Sequence, residues 1–67
     1  MRCTIIDDEP LAREGMELNV EELDYLNLVG QFSTEVDALN FLNHTQVDLI
    51  FFGYSDARIN WFVIHHL

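Results

Sequence analysis

The sequence predicts an α/β domain on a parallel sheet, in the order strand, helix, strand, helix, strand. Three observations carry this. Apolar runs rich in β-branched and aromatic residues recur at Arg2 to Ile6, Leu28 to Phe32 and Val47 to Phe52. The segments between them have helical periodicity, and such alternation builds parallel sheets through right-handed crossovers. The third run, Val47-Asp48-Leu49-Ile50-Phe51-Phe52, is nearly continuous in apolar character, as expected of a strand covered on both faces.

The first strand is expected over Arg2 to Ile6. A helix follows from Pro10 to about Tyr25, because Pro suits a first helical turn, where its missing N–H costs nothing. Ala12, Met16, Val20 and Leu23 give that helix one apolar face, with Arg13, Glu14, Glu17, Glu21 and Glu22 mostly on the solvated side. Leu28 to Phe32 reads as the second strand. Ser33-Thr34 starts the second helix, with Thr34 and Asp37 at capping-box spacing and Ala38, Phe41 and Leu42 on its apolar face. Asn43 to Gln46 is a polar turn, with His44 in solvent, before the third strand. Beyond Phe52 the pattern changes. Gly53 to Asn60 has no clear period, and Trp61 to Leu67 is apolar with a His pair, open to reading as a strand or a helix start.

Composition narrows the function classes. The chain has 67 residues and a net charge of −9, and its three basic side chains are Arg2, Arg13 and Arg58. This is at most one small domain, of marginal stability, since a chain of this size buries only about 60% of its unfolded surface. So acidic a surface repels phosphate backbones, which argues against direct nucleic-acid binding and favours Mg2+ or a basic partner. Lone Cys3, inside a strand, is expected to be a buried, inert thiol in a reducing cytosol. No signal peptide or bilayer-length apolar run is visible, so a cytoplasmic location is expected.

Ile5-Ile6-Asp7-Asp8-Glu9-Pro10 is the most informative stretch. It puts carboxylates at the carboxyl end of a strand, in the crevice where open α/β sheets bind ligands. Negative charges packed there repel one another unless a cation or a proton intervenes. Asp7 and Asp8 are therefore candidate ligands of a divalent metal. A solvated acidic turn favouring the helix N-terminus accounts for the same residues.

The stretch Ile5-Ile6-Asp7-Asp8-Glu9-Pro10-Leu11-Ala12-Arg13 resembles the opening of a bacterial response-regulator receiver domain, in the variant typical of LytTR-type transcriptional regulators. Leu28 to Ser33, Ala38 to Leu42 and Val47 to Phe52 fit the same family in the same order, so the resemblance covers residues 1–52. It implies a β-α-β-α-β part of a flavodoxin-like receiver fold. It also implies phosphoryl transfer from a histidine kinase to an Asp ending the third strand, within a two-component phosphorelay that controls transcription through a separate effector domain. Mg2+ would be held by Asp8 directly and by Asp7 through water, a division suited to an ion that keeps much of its hydration.

The resemblance breaks at Gly53, where the family carries its acceptor Asp. Glycine can neither accept a phosphoryl group nor ligate a metal through a carboxylate. Asp56 lies three residues on, too far along the loop to replace it. The family's later Thr/Ser and Lys, which ligate the phosphoryl group, belong to strands beyond those found here. The break has a recognisable form. A synonymous coding of Gly53 to Trp61, shifted by one base, reads Asp-Ile-Gln-Met-Pro-Glu-Leu-Thr-Gly, the stretch that the family carries after its third strand. Residues 53–67 are therefore read as an atypical, out-of-frame tail, and residues 1–52 as the receiver part.

The remaining residues have simpler readings. His65-His66 are adjacent and lack partners suited to a metal site. Glu17, Glu21 and Glu22 form a solvated helix face, and Ser55 has no activating partner. A small metal-dependent hydrolase would need ligands or a base beyond those present, so no enzyme activity is expected. The alternative to a phosphorelay receiver is a phosphorylation-independent pseudo-receiver that binds partners through its first helix or sheet edge. Half a receiver is expected to leave its third strand as an unpaired edge, favouring self-association.

Overall fold

The computed structural model describes residues 1–53 and the main chain of 62–65. Its elements run β1 (Arg2–Ile6), α1 (Pro10–Glu21), β2 (Asn27–Phe32), α2 (Glu35–His44), β3 (Leu49–Phe52) and β4 (Phe62–His65). The sheet order is β2-β1-β3-β4. β1 pairs in parallel with both β2 and β3, so the first five elements form the expected β-α-β-α-β unit. The order β2-β1-β3 is the start of a flavodoxin-like sheet.

Each strand feeds both faces, which explains its unbroken apolar character. On the α1 side, Cys3 and Ile5 pack with Met16 and Val20, joined by Leu26, Leu28, Leu49 and Phe51. On the α2 side, Ile6, Ala38, Val47 and Ile50 pack together, joined by Val29, Phe32, Phe41, Leu42 and Phe52. Cys3 is fully buried, and that burial pushes its thiol pKa up, so the protonated, unreactive form is favoured.

One irregularity lies in β2. Cys3 pairs with Leu28 but Thr4 pairs with Gly30, so the register slips by one residue at Val29. A Cβ added at Gly30 would come within 3.0 Å of the Phe32 ring and 3.4 Å of Phe41. Glycine here admits the Phe32–Phe41 contact, with ring centroids 5.3 Å apart.

Several expectations are corrected. α1 ends at Glu21, about a turn before Tyr25, and Leu23 is 39% exposed instead of lying on the buried face. The last turn of α1 holds no cation, while Glu21 and Glu22 place negative charge at its electronegative end. α2 runs through His44, whose Nδ1 lies 2.8 Å from the Asn40 carbonyl oxygen, so the polar turn is shorter than its composition suggests. Regular pairing in β3 starts at Leu49. The preceding residues are tied down differently: the Asp48 amide donates to the Arg2 carbonyl at 2.8 Å, and Asp48 Oδ2 accepts from the Arg2 amide at 3.0 Å.

The third strand is not an unpaired edge. β4 lies antiparallel against β3, with Leu49 opposite His65 and Phe52 opposite Phe62. Of the two readings open for the apolar tail, the main chain of 62–65 takes the strand. Ser55, Asp56, Trp61 and His66 lie outside the described residues.

Candidate functional site

The carboxyl ends of β1, β2 and β3 meet at one edge of the sheet, where they surround a pocket of about 400 Å³. It is lined by Ile6, Asp7 and Asp8 after β1, Ser33, Thr34 and Glu35 after β2, and Phe52 and Gly53 at the end of β3. Parallel pairing forces this convergence, because all three strands point the same way and release their chains at the same end. The sequence-predicted acids and Gly53 are thus brought together.

Asp7 and Asp8 differ in environment. Asp7 is 2% exposed, whereas Asp8 is exposed. The Asp7 amide donates to the Phe32 carbonyl at 3.0 Å, and its Oδ1 accepts from the Glu9 amide at 2.9 Å. The Asp7 side chain therefore closes the turn into α1, satisfying an amide that the helix start would leave unpaired. Asp8, with no such role in the turn, presents its carboxylate to solvent at the pocket wall. The Gly53 amide donates to the Ile6 carbonyl at 2.9 Å, which carries the β3–β1 ladder one residue past β3. Residue 53 thus stands directly beside the strand end that bears the acids, and it contributes no side chain.

This donor set fits a hydrated Mg2+ held by two carboxylates, the arrangement that a small, reluctantly dehydrated cation accepts. It does not make a closed protein cage: among the described residues no group of three His, Cys, Asp or Glu side chains is placed to hold a metal.

Residue-by-residue reading missed two contributions. Ser33, Thr34 and Glu35 line the pocket because β2 ends beside β1, and the strand-end rule applied to every parallel strand would have found them. Arg13, assigned to the solvated helix face, is half-buried and donates from Nη1 to the Asp7 carbonyl oxygen at 2.9 Å. The long side chain folds from the end of the first turn of α1 back to the strand end, a path invisible to helical periodicity.

The chain is 30% identical over 60 residues to the transcriptional regulatory protein BtsR of Escherichia coli strain K12, covering 90% of this chain and 25% of that protein. The same figures hold for the BtsR protein of Salmonella typhimurium. It is 37% identical over 51 residues to the transcriptional regulatory protein YpdB of E. coli strain K12, covering 76% of this chain and 21% of that one. These relatives are transcriptional regulatory proteins. The chain spans about a quarter of the length of the curated relatives it matches. No family model matches the chain, and no solved structure is a significant match. Among the described residues, no helix is long and apolar enough to cross a membrane.

Proposed function

We propose that this chain is the N-terminal part of a receiver domain from a LytTR-type, two-component response regulator, in a form that cannot accept a phosphoryl group. The observation that carries this reading is the placement of Gly53 beside Ile6, at the mouth of the pocket that Asp7 and Asp8 line. The transcriptional regulators among its relatives support it, as does the receiver-like run from Ile5 to Arg13. In a complete pocket the acceptor carboxylate stands at position 53, and a bound Mg2+ offsets charge on the phosphoryl oxygens. Here Asp8 would hold Mg2+ directly and Asp7 through water, an assignment that suits the exposed and buried environments of the two acids. With the third carboxylate missing, binding is weak. The parent protein would be cytoplasmic, would take its phosphoryl group from a histidine kinase and would pass the change to a DNA-binding effector.

The tail from Gly53 is assigned to a one-base shift of reading frame near the codons for Phe51-Phe52. The coding DNA decides: an alternative frame that continues Asp-Ile-Gln-Met-Pro after Phe52 is expected, and its absence removes the assignment.

Incubation with acetyl phosphate and Mg2+, read by intact mass, is expected to add no phosphoryl group. An adduct mapped to Asp7, Asp8 or Asp56 would overturn the functional reading. A second reading, a phosphorylation-independent binding module, draws on Leu11 and Leu18, which are 76% and 60% exposed on α1. Its mark is a specific partner bound equally well with and without Mg2+.

A further inference from the structure

We propose that Arg13 is a positioning residue for the acidic corner, holding the Asp7–Asp8 peptide so that Asp8 faces the pocket while Asp7 stays folded into the turn. The inference rests on the Mg2+ reading of that corner. Asp7 is held at three points, and two belong to the turn itself. Its Oδ1 takes the Glu9 amide at 2.9 Å and its carbonyl oxygen takes the Arg13 guanidinium at 2.9 Å. That carbonyl belongs to the peptide joining Asp7 to Asp8, so its direction sets where the Asp8 side chain departs. Without the Arg13 side chain, the Asp7 amide and Oδ1 keep their bonds, but the carbonyl loses its partner, and the Asp7–Asp8 peptide could rotate away.

The guanidinium turns back toward the start of its own helix to make this bond. Glu14 and Glu17 follow it in sequence, yet its hydrogen bond goes back to a main-chain carbonyl at the strand end. The planar fork suits this task, because it is delocalised, weakly hydrated and keeps its charge when half-buried. A point charge on a flexible stem would hold the same oxygen with poorer direction.

Electrostatics and positioning predict opposite signs. A cation beside a Mg2+ site repels the ion, so removing it by charge alone should strengthen metal binding. If Arg13 acts by orientation, removing it weakens binding in spite of the relieved repulsion. Outer contacts that orient metal-ligating groups are worth about tenfold or more in affinity.

The test uses the whole chain with Arg13→Met, which keeps the apolar stem, and Arg13→Gln, which keeps neutral donors. Mg2+ is titrated by amide chemical shift, and exchange of the Glu9 amide is measured without metal. Amides of Cys3 to Ile6 serve as the folding control. With these unchanged, Arg13→Met is expected to bind Mg2+ about tenfold more weakly, Arg13→Gln to fall between it and the wild type, and the Glu9 amide to exchange faster in Arg13→Met. Equal or tighter Mg2+ binding by Arg13→Met overturns the proposal. If the wild-type chain shows no Mg2+ response, the metal reading itself fails, and the Glu9 amide decides for Arg13: faster exchange sustains its hold on the turn, and unchanged exchange removes it. Loss of the Cys3 to Ile6 signals in both variants would make Arg13 a general stability residue and would equally overturn its local role.

Discussion

Gly53 and Thr4 show how much a single side chain decides in so small a domain. At Gly53 the missing group is a carboxylate next to two others, and Gly53→Asp would supply it. A third acid in this pocket raises mutual repulsion in the free protein and attraction for a divalent cation. Mg2+ affinity is therefore expected to rise by about tenfold or more, with a matching gain in thermal stability when Mg2+ is added. Calorimetric titration reads the first and a melt with and without Mg2+ the second; an unchanged affinity would mean that position 53 does not face the acids. Thr4 is fully buried in β1, and its Oγ1 has no hydrogen-bond partner among the described residues. Thr4→Val removes that unpaired hydroxyl at nearly constant shape, and a gain of about 1 kcal/mol in urea unfolding is expected. Asp7 and Asp8 were legible in the sequence because a strand end is a local feature. Arg13 was not, because its side chain folds back to the strand end six residues earlier, and periodicity reports where a side chain begins instead of where a long one ends.

The elements were legible to the extent that their ends are marked locally. The start of α2 is marked: the Asp37 amide donates to Thr34 Oγ1 at 3.1 Å, half of the reciprocal box that the spacing suggests. Thr34→Ala removes that cap and is expected to cost about 1 kcal/mol, measured by denaturant midpoint; because Thr34 also lines the pocket, Thr34→Ser should keep most of the stability. The end of α1 has no such marker. Leu23 continues the apolar spacing of Met16 and Val20, yet Glu21 and Glu22 crowd the electronegative end of the helix, and the chain turns away first. Periodicity alone extended the helix; the charge pattern at its end argues for the earlier stop. The slip in β2 at Val29 was equally hidden, since a one-residue bulge leaves the run Leu28-Val29-Gly30 unchanged in character and is recognised only through the pairing.

At the scale of the whole molecule, the described residues form a sheet with helices on opposite faces and two modest apolar clusters, one on each side. Parallel order followed from the alternation of elements, since each crossover must return its strand in the same direction. The antiparallel β4 did not, because an uncharged four-residue apolar run is compatible with a strand or a helix start, and its pairing with β3 is a tertiary choice. That pairing covers β3 and makes β4 the outermost strand on that side among the described residues. β4, with the sequence Phe-Val-Ile-His, carries no Asp, Glu, Lys or Arg, and β2 at the other end carries none either. Charges and prolines are what keep such edges from pairing with other chains. Net charge opposes association over distance, but it is screened by salt within about 10 Å at 0.1 M, whereas edge pairing acts at contact. Self-association is therefore expected to strengthen with ionic strength, and the apparent Tm to rise over roughly two decades of protein concentration. Melts by circular dichroism, matched to sedimentation at the same concentrations and at low and high salt, measure both. A monomer with a sharp, concentration-independent transition would show that the two clusters suffice to hold the fold, and that the uncharged edges are shielded without a second chain.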